Sequence, residues 1–156
     1  MPAQKLKEFL DSHNVKYISI THSRAYTAQE VAASTHIRGK EFAKTVVVKL
    51  DGKMAMAVLP ATRKVDLDAL KQASGAQKAE LATEQEFQYL FPECETGAMP
   101  PFGNLYGMEV YADASLCEDE EIAFNAGSHI EVIRMAYQDF ERLVQPKVAN
   151  IAQAAK

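Results

Sequence analysis

The sequence predicts a mixed α+β fold of about six strands and five helices, and three observations carry that prediction. A β-branched segment, KTVVVKL at residues 44–50, is followed by Asp51-Gly52 and a second apolar segment at 54–59, the signature of an antiparallel hairpin. Helix-type apolar spacing and capping residues recur between the other strand-like segments, so the sheet is neither wholly parallel nor a simple meander. The length, 156 residues, suits one domain spanning 1–156 with a core of ordinary size.

Taken in order, residues 5–13 place Leu6, Phe9 and Leu10 at i, i+3 and i+4, one face of a short helix. Residues 15–22 alternate (Val15, Tyr17, Ile18, Ile20) and read as a strand. Thr27 and Glu30 form a capping box that opens a helix to about Thr35. After the hairpin, Pro60 ends the second strand. Residues 66–74 form a helix with Leu67 and Leu70 inward and Gly75 as its stop. Thr83 and Glu86 are a second capping box, opening a helix to about Leu90 that Pro92 closes. Residues 95–105 are a Gly/Pro loop. Segments 108–112, 121–125 and 130–135 are strands, and 137–144 is a last helix with Phe140, Leu143 and Val144 clustered.

Composition narrows the function classes. Apolar residues at 47% and charged residues at 24% exclude a disordered, collagen-like or coiled-coil chain. No apolar run reaches the ~20 residues of a membrane span, and MPAQKLKEFLD lacks the apolar stretch of a signal peptide, so a cytoplasmic protein with no membrane partner is expected. Cys94 and Cys117 are too few for a disulfide framework and stand in no metal-ligand spacing. His13, His22, His36 and His129 show no zinc spacing either, and neither a metal nor a cofactor is expected. A net charge of −4 argues against gripping long nucleic acid by charge alone, and no DNA partner is expected. The charge is unevenly spread: residues 1–78 carry 13 Lys/Arg against 7 Asp/Glu, and residues 79–156 carry 4 against 14. A basic first half can offer a local phosphate site.

Three segments are candidates for chemistry. In Gly97-Ala98-Met99-Pro100-Pro101-Phe102-Gly103, two prolines fix φ and flanking glycines widen the accessible backbone, so a rigid loop can hold its amides against a ligand. In Asn125-Ala126-Gly127-Ser128-His129, small and polar residues lie between two apolar strands, and His129 can donate, accept or relay a proton. Lys44 stands where an apolar strand begins, suited either to the solvent edge or to a phosphate or carboxylate in a cleft.

Together and in this order, EFAKTVVVKLDGKMAMAVLPATRKVDLDALK, GAMPPFG and FNAGSH resemble the YbaK/prolyl-tRNA synthetase-associated editing-domain family, from about Tyr17 to Val144. The resemblance implies a barrel-like mixed sheet surrounded by helices. It also implies a freestanding deacylase that cleaves the ester at the 3′ end of mischarged aminoacyl-tRNA, with an aminoacyl-tRNA synthetase as a further partner. By position, it assigns the family lysine to Lys44 and the family GxxxP pair to Gly97 and Pro101 as the catalytic set. Ala98, Met99, Pro100, Asn125, Gly127, Ser128 and His129 become substrate-binding residues. Ester hydrolysis of this kind needs water placement and oxyanion stabilisation more than a strong nucleophile. Lys44 then holds the anionic 3′ end, the neighbouring ribose hydroxyl of the substrate assists, and Arg38, Lys40, Arg63 and Lys64 meet nearby phosphates.

Two other readings belong to different classes. One is a non-catalytic module that binds tRNA ends, nucleotides or a synthetase. The other is a cysteine hydrolase, which requires a low-pKa thiolate at Cys94 or Cys117.

Overall fold

The computed structural model describes residues 4–21, 41–92, 94–95, 98–118 and 120–154. Gly97, Arg38, Lys40 and the Thr27–Glu30 capping box with its helix lie outside the described residues. The elements are α1 (Gln4–Ser12), β1 (Tyr17–Thr21), β2 (Ala43–Leu50), β3 (Lys53–Pro60), β4 (Arg63–Val65), α2 (Leu67–Ser74), β5 (Ala79–Leu81), α3 (Glu84–Phe87), β6 (Glu109–Asp113), β7 (Glu121–Asn125), β8 (Glu131–Ala136), α4 (Tyr137–Val144), β9 (Lys147–Ala149) and β10 (Ala152–Ala154). The described strands form three sheets: β1-β8-β7, β10-β4, and β5-β2-β3-β6-β9. The mixed α+β expectation holds, since β3-β6 and β6-β9 pair parallel and β2-β3 antiparallel. These strands do not form one closed sheet. No helix among the described residues is long and apolar enough to cross a membrane.

The hairpin forms in the expected register, from Ala43 opposite Pro60 to Leu50 opposite Lys53. Asp51 (φ 51°) and Gly52 (φ 83°) both take the left-handed backbone that matches strand twist in a two-residue turn. Asp51 does a second job, because its carboxylate accepts from the amides of Gln77 and Lys78 and so ties the turn to the segment entering β5. Pro60 lies inside β3, as its last residue. The second capping box is present, but its helix runs a single turn (Glu84–Phe87) before tightening into a 3₁₀ turn at Gln88–Leu90. Phe87 and Phe91 are both buried, and the tighter winding places them edge to face, 6.3 Å apart.

Four three-residue strands, β4, β5, β9 and β10, add to the six read from the sequence. The largest core lies where Ala43, Val47, Met56, Phe102, Phe124, Ile133 and Phe140 meet. A second cluster, with Val48, Leu59, Leu70 and Tyr111, covers the other side of the five-stranded sheet. A third and smaller one (Phe42, Ala61, Ala123, Val132) sits between β2 and β7. There the two large sheets meet through a parallel bridge between Phe42 and Ala123, and the Phe42 carbonyl also accepts from the Ala61 amide at 2.7 Å.

Asp113, only 2% exposed, closes the far end of β6. One carboxylate oxygen accepts from the amides of Ile151 (2.9 Å) and Ala152 (3.1 Å). The other accepts from the Ser115 amide and hydroxyl. Asp113→Ala leaves the Ile151 and Ala152 donors without this acceptor, and a loss of about 3 kcal/mol of unfolding free energy is expected. Urea titration checks this, and an unchanged midpoint refutes it.

Lys49 on β2 pairs with Glu80 at 3.4 Å and with Glu86, the carboxylate of the capping box. The Lys49 hydrogen bond, with help from the Thr83 amide, holds the Glu86 carboxyl down at about 2, against an ordinary 4.5. A carboxylate with a depressed native pKa stabilises the fold above its unfolded value and loses that contribution as the pH falls toward its native one. Lys49→Met is therefore expected to destabilise at pH 7, with the deficit shrinking between about pH 4.5 and pH 2. Unfolding curves across that range check it.

Candidate active site

The Gly/Pro loop is not a surface connection. Ala98, Met99, Pro100 and Pro101 are buried, and Phe102 packs edge to face against Phe9, Phe124 and Phe140. Gly103 completes the anchor. A Cβ there would lie 2.6 Å from Val110 Cγ2 and 2.8 Å from the Met108 carbonyl oxygen, so no side chain fits without a shift.

Hydrogen bonds fasten this loop to the 125–129 turn. The Glu95 amide donates to the Gly127 carbonyl at 2.7 Å, and the Gly127 amide donates to the Ala98 carbonyl at 2.8 Å. The Ala98 amide folds back onto the Glu95 carbonyl at 3.0 Å. Gly127 has φ 99°, a backbone that residues with a Cβ rarely adopt, which accounts for glycine at this contact. The Glu95 carboxylate then accepts from the His129 amide at 3.0 Å. His129 and Ser128 are buried, and the Ser128 hydroxyl accepts from the Ile130 amide at 3.4 Å.

Lys44 stands across the sheet junction from Asn125, the first residue of that turn. Ala43 and Val47 face the largest core while Phe42 and Val48 face away from it, so alternation puts Lys44 on the side of Phe42. On β7, Phe124 faces the largest core and Ala123 does not, so Asn125 shares the side of Ala123. Phe42 and Ala123 are the bridged pair, and Lys44 and Asn125 stand two residues beyond it on their two chains. Lys44 has no carboxylate partner among the described residues, and burial pushes its ammonium pKa below the ordinary lysine value. Asn125 is 8% exposed, and its buried Oδ1 accepts no hydrogen bond among the described residues. An unpaired buried amide oxygen costs on the order of 1–3 kcal/mol, which a ligand donor would offset.

Two residues escaped the sequence reading. Glu95 stands two residues before Gly97, in a segment that reads only as loop. Thr45, next to Lys44, also holds a buried hydroxyl oxygen that has no partner among the described residues. A polar residue interrupting the apolar alternation of KTVVVKL was its only signal.

The two thiols are structural neighbours of tyrosines. Cys94 Sγ lies 3.6 Å from the Tyr106 hydroxyl, and Cys117 Sγ lies 3.2 Å from the Tyr137 hydroxyl. Tyr137 titrates above the ordinary tyrosine range, chiefly through burial and then through its bond to Cys117. Cys117 also lines an acidic groove with Glu118, Glu120 and Glu121.

Comparison with known proteins agrees with this architecture. The aminoacyl-tRNA editing domain family matches residues 22–143, and the chain belongs to that family. It is an aminoacyl-tRNA deacylase by family, acting on the ester of mischarged tRNA. The Escherichia coli K12 protein named multifunctional Ser/Thr-tRNA deacylase ProXp-y is 31% identical over 160 residues, covering 97% of this chain and 93% of that one. An 85-residue stretch is 31% identical to the proline–tRNA ligase of Bacillus mycoides, covering 54% of this chain and 15% of the ligase. Among solved structures, a candidate trans-editing enzyme for prolyl-tRNA synthetase superposes with a TM-score of 0.83 at 19% identity, over 98% of both chains. The hypothetical protein APE2540 superposes with a TM-score of 0.87 at 18% identity.

Glu95 tests the clamp between loop and turn. Glu95→Ala is expected to lower kcat about tenfold or more with little change in KM, because it loosens the junction without touching substrate. Glu95→Gln keeps a carbonyl acceptor for the His129 amide and is expected to restore most of the rate. Equal losses in the two variants, or a change confined to KM, would rule the clamp out.

Proposed function

We propose that this chain works in trans as one domain, clearing small hydroxylated amino acids, serine and threonine, from the 3′ end of mischarged tRNA in the cytoplasm. The observation that carries the reading is the placement beside one junction of two groups without partners among the described residues: the half-buried Lys44 and the buried Oδ1 of Asn125. The relationship to a Ser/Thr-tRNA deacylase across nearly the whole chain supports the choice of amino acids. The relationship to proline–tRNA ligase supports a synthetase as a further partner. In this reading the three- and five-stranded sheets curve around the largest core in the barrel-like manner of the family.

Lys44 lies beside the ester and the adjacent phosphate, where its charge attracts the anionic end and stabilises developing negative charge. Its partial desolvation strengthens that interaction relative to water. Backbone groups of the loop from Gly97 to Pro101 position the attacking water and the oxyanion, with Ala98, Met99 and Pro100 forming one wall. Gly127 admits close approach of the substrate, Asn125 accepts from the aminoacyl group, and Ser128 and His129 shape the opposite wall. No protein nucleophile is required, since the neighbouring ribose hydroxyl assists the water.

A deacylation panel of tRNA for proline charged with serine, threonine, alanine or cysteine tests the reading. Rapid hydrolysis of the seryl and threonyl esters is expected. Lys44→Ala is expected to lower kcat/KM by about 10²-fold, the scale of one lost charge-stabilising group. Cys94→Ser and Cys117→Ser should retain the rate. Hydrolysis that survives Lys44→Ala but not a cysteine change points to thiol chemistry, and no hydrolysis by the wild type points to a binding module.

A further inference from the structure

Six of the thirteen described cations, Lys7, Lys49, Lys78, Arg134, Arg142 and Lys147, each have a carboxylate within 4.0 Å. Lys5, Lys16, Lys44, Lys53, Arg63, Lys64 and Lys71 have none among the described residues, and of these Lys44, Arg63 and Lys64 are linked by a short path through the strands. Leu59 is the cross-strand partner of Lys44, and Arg63 follows Leu59 by four residues, at most ~14 Å of chain. The connection is short because Ala61 turns back to bond Phe42 at the sheet junction. Arg63 and Lys64 are both exposed.

Their strand is held firmly. Among the described residues β4 pairs with β10 alone, placing Arg63 opposite Ala154 and Lys64 opposite Gln153, so the partner strand brings no carboxylate to neutralise them. The Asp66 amide donates to the Ile151 carbonyl at 2.7 Å, and buried Asp113 holds the Ile151 and Ala152 amides. Two side chains of high charge are thus displayed on a ribbon that the core immobilises, beside the half-buried lysine.

We propose that Arg63 and Lys64 form the contact surface for the phosphodiester backbone of the acceptor strand, immediately behind the ester that Lys44 receives. This rests on the deacylase reading of the Lys44 site and adds the path of the RNA away from it. With ~5 Å across the strand pair added to the ~14 Å limit from Leu59, Arg63 lies at most ~19 Å from Lys44, room for no more than about five phosphates at ~3.4 Å each along a stacked strand. Paired cations elsewhere already have a counter-charge, whereas these two release condensed counterions when RNA arrives. The contact carries no base specificity; it sets orientation and affinity.

The test is binding of uncharged tRNA, measured by fluorescence anisotropy from low to high salt, alongside hydrolysis of a charged tRNA and of a short aminoacyl-CCA trinucleotide. Arg63→Gln with Lys64→Gln is expected to weaken tRNA binding at least tenfold and to flatten the log–log salt slope by about one per lost contact. Its loss of kcat/KM should be at least fivefold greater on the tRNA than on the trinucleotide. Lys53→Gln, an exposed cation at the opposite end of the β2–β3 pair, should change the slope far less. An unchanged slope, an equal effect from Lys53→Gln, or wild-type protein that does not bind tRNA overturns the proposal. Wild-type protein that binds with the expected slope dependence but hydrolyses neither substrate overturns the deacylase reading instead.

Discussion

The bridge between Phe42 and Ala123 is the constraint on which the rest of the molecule depends. Among the described residues it joins a three-stranded antiparallel sheet to a five-stranded mixed one through one bridge, and Lys44 and Asn125 each stand two residues from it. Phe42 is fully buried, so the junction is fixed by packing as well as by backbone contact. Beyond it the two sheets part. Lys44 and Asn125 follow it two residues on along their two chains, and the loop is fastened to Gly127 just beyond Asn125.

That arrangement explains why polar groups are left unsatisfied at this place and scarcely elsewhere. Asp113, buried as deeply as Leu6 in the core, has both carboxylate oxygens engaged, and the capping-box Glu86 has both a backbone and a lysine partner. The fold therefore satisfies buried polar groups where stability is the only requirement. The Asn125 oxygen beside the junction is, among the described residues, an exception of the kind that a bound molecule completes.

Local chemistry made much of the fold legible in the sequence. Asp51-Gly52 sets the hairpin and its register, Thr83 and Glu86 set a helix start, and Gly75, with φ 75°, ends α2. Each depends on interactions between residues a few positions apart. The short strands β4, β5, β9 and β10 were not legible, because three residues carry no period and become strands only through a partner distant in sequence, as Val65 does through Ala152. The burial of the Gly/Pro loop was hidden for a similar reason: Pro and Gly signal a turn, while the docking of Phe102 among Phe9, Phe124 and Phe140 is a tertiary event. Within the site, Lys44 and the turn stood out by residue type. Glu95 did not, since an acidic residue before a loop is usually solvated and only the fold brings the His129 amide to it.

The loop and the turn are joined largely by main-chain groups: Glu95 to Gly127, and Gly127 to Ala98, amide to carbonyl in each case. Such a joint is indifferent to the side chains it carries, apart from the glycine that its backbone demands. Residues such as Met99 and Ala126 can therefore change size during divergence while the reacting geometry stays put. A lineage can drift from one misacylated substrate to another by small steps, each intermediate remaining a working enzyme. Paralogues with distinct amino-acid preferences are the natural outcome of a scaffold whose hinge is written in peptide bonds.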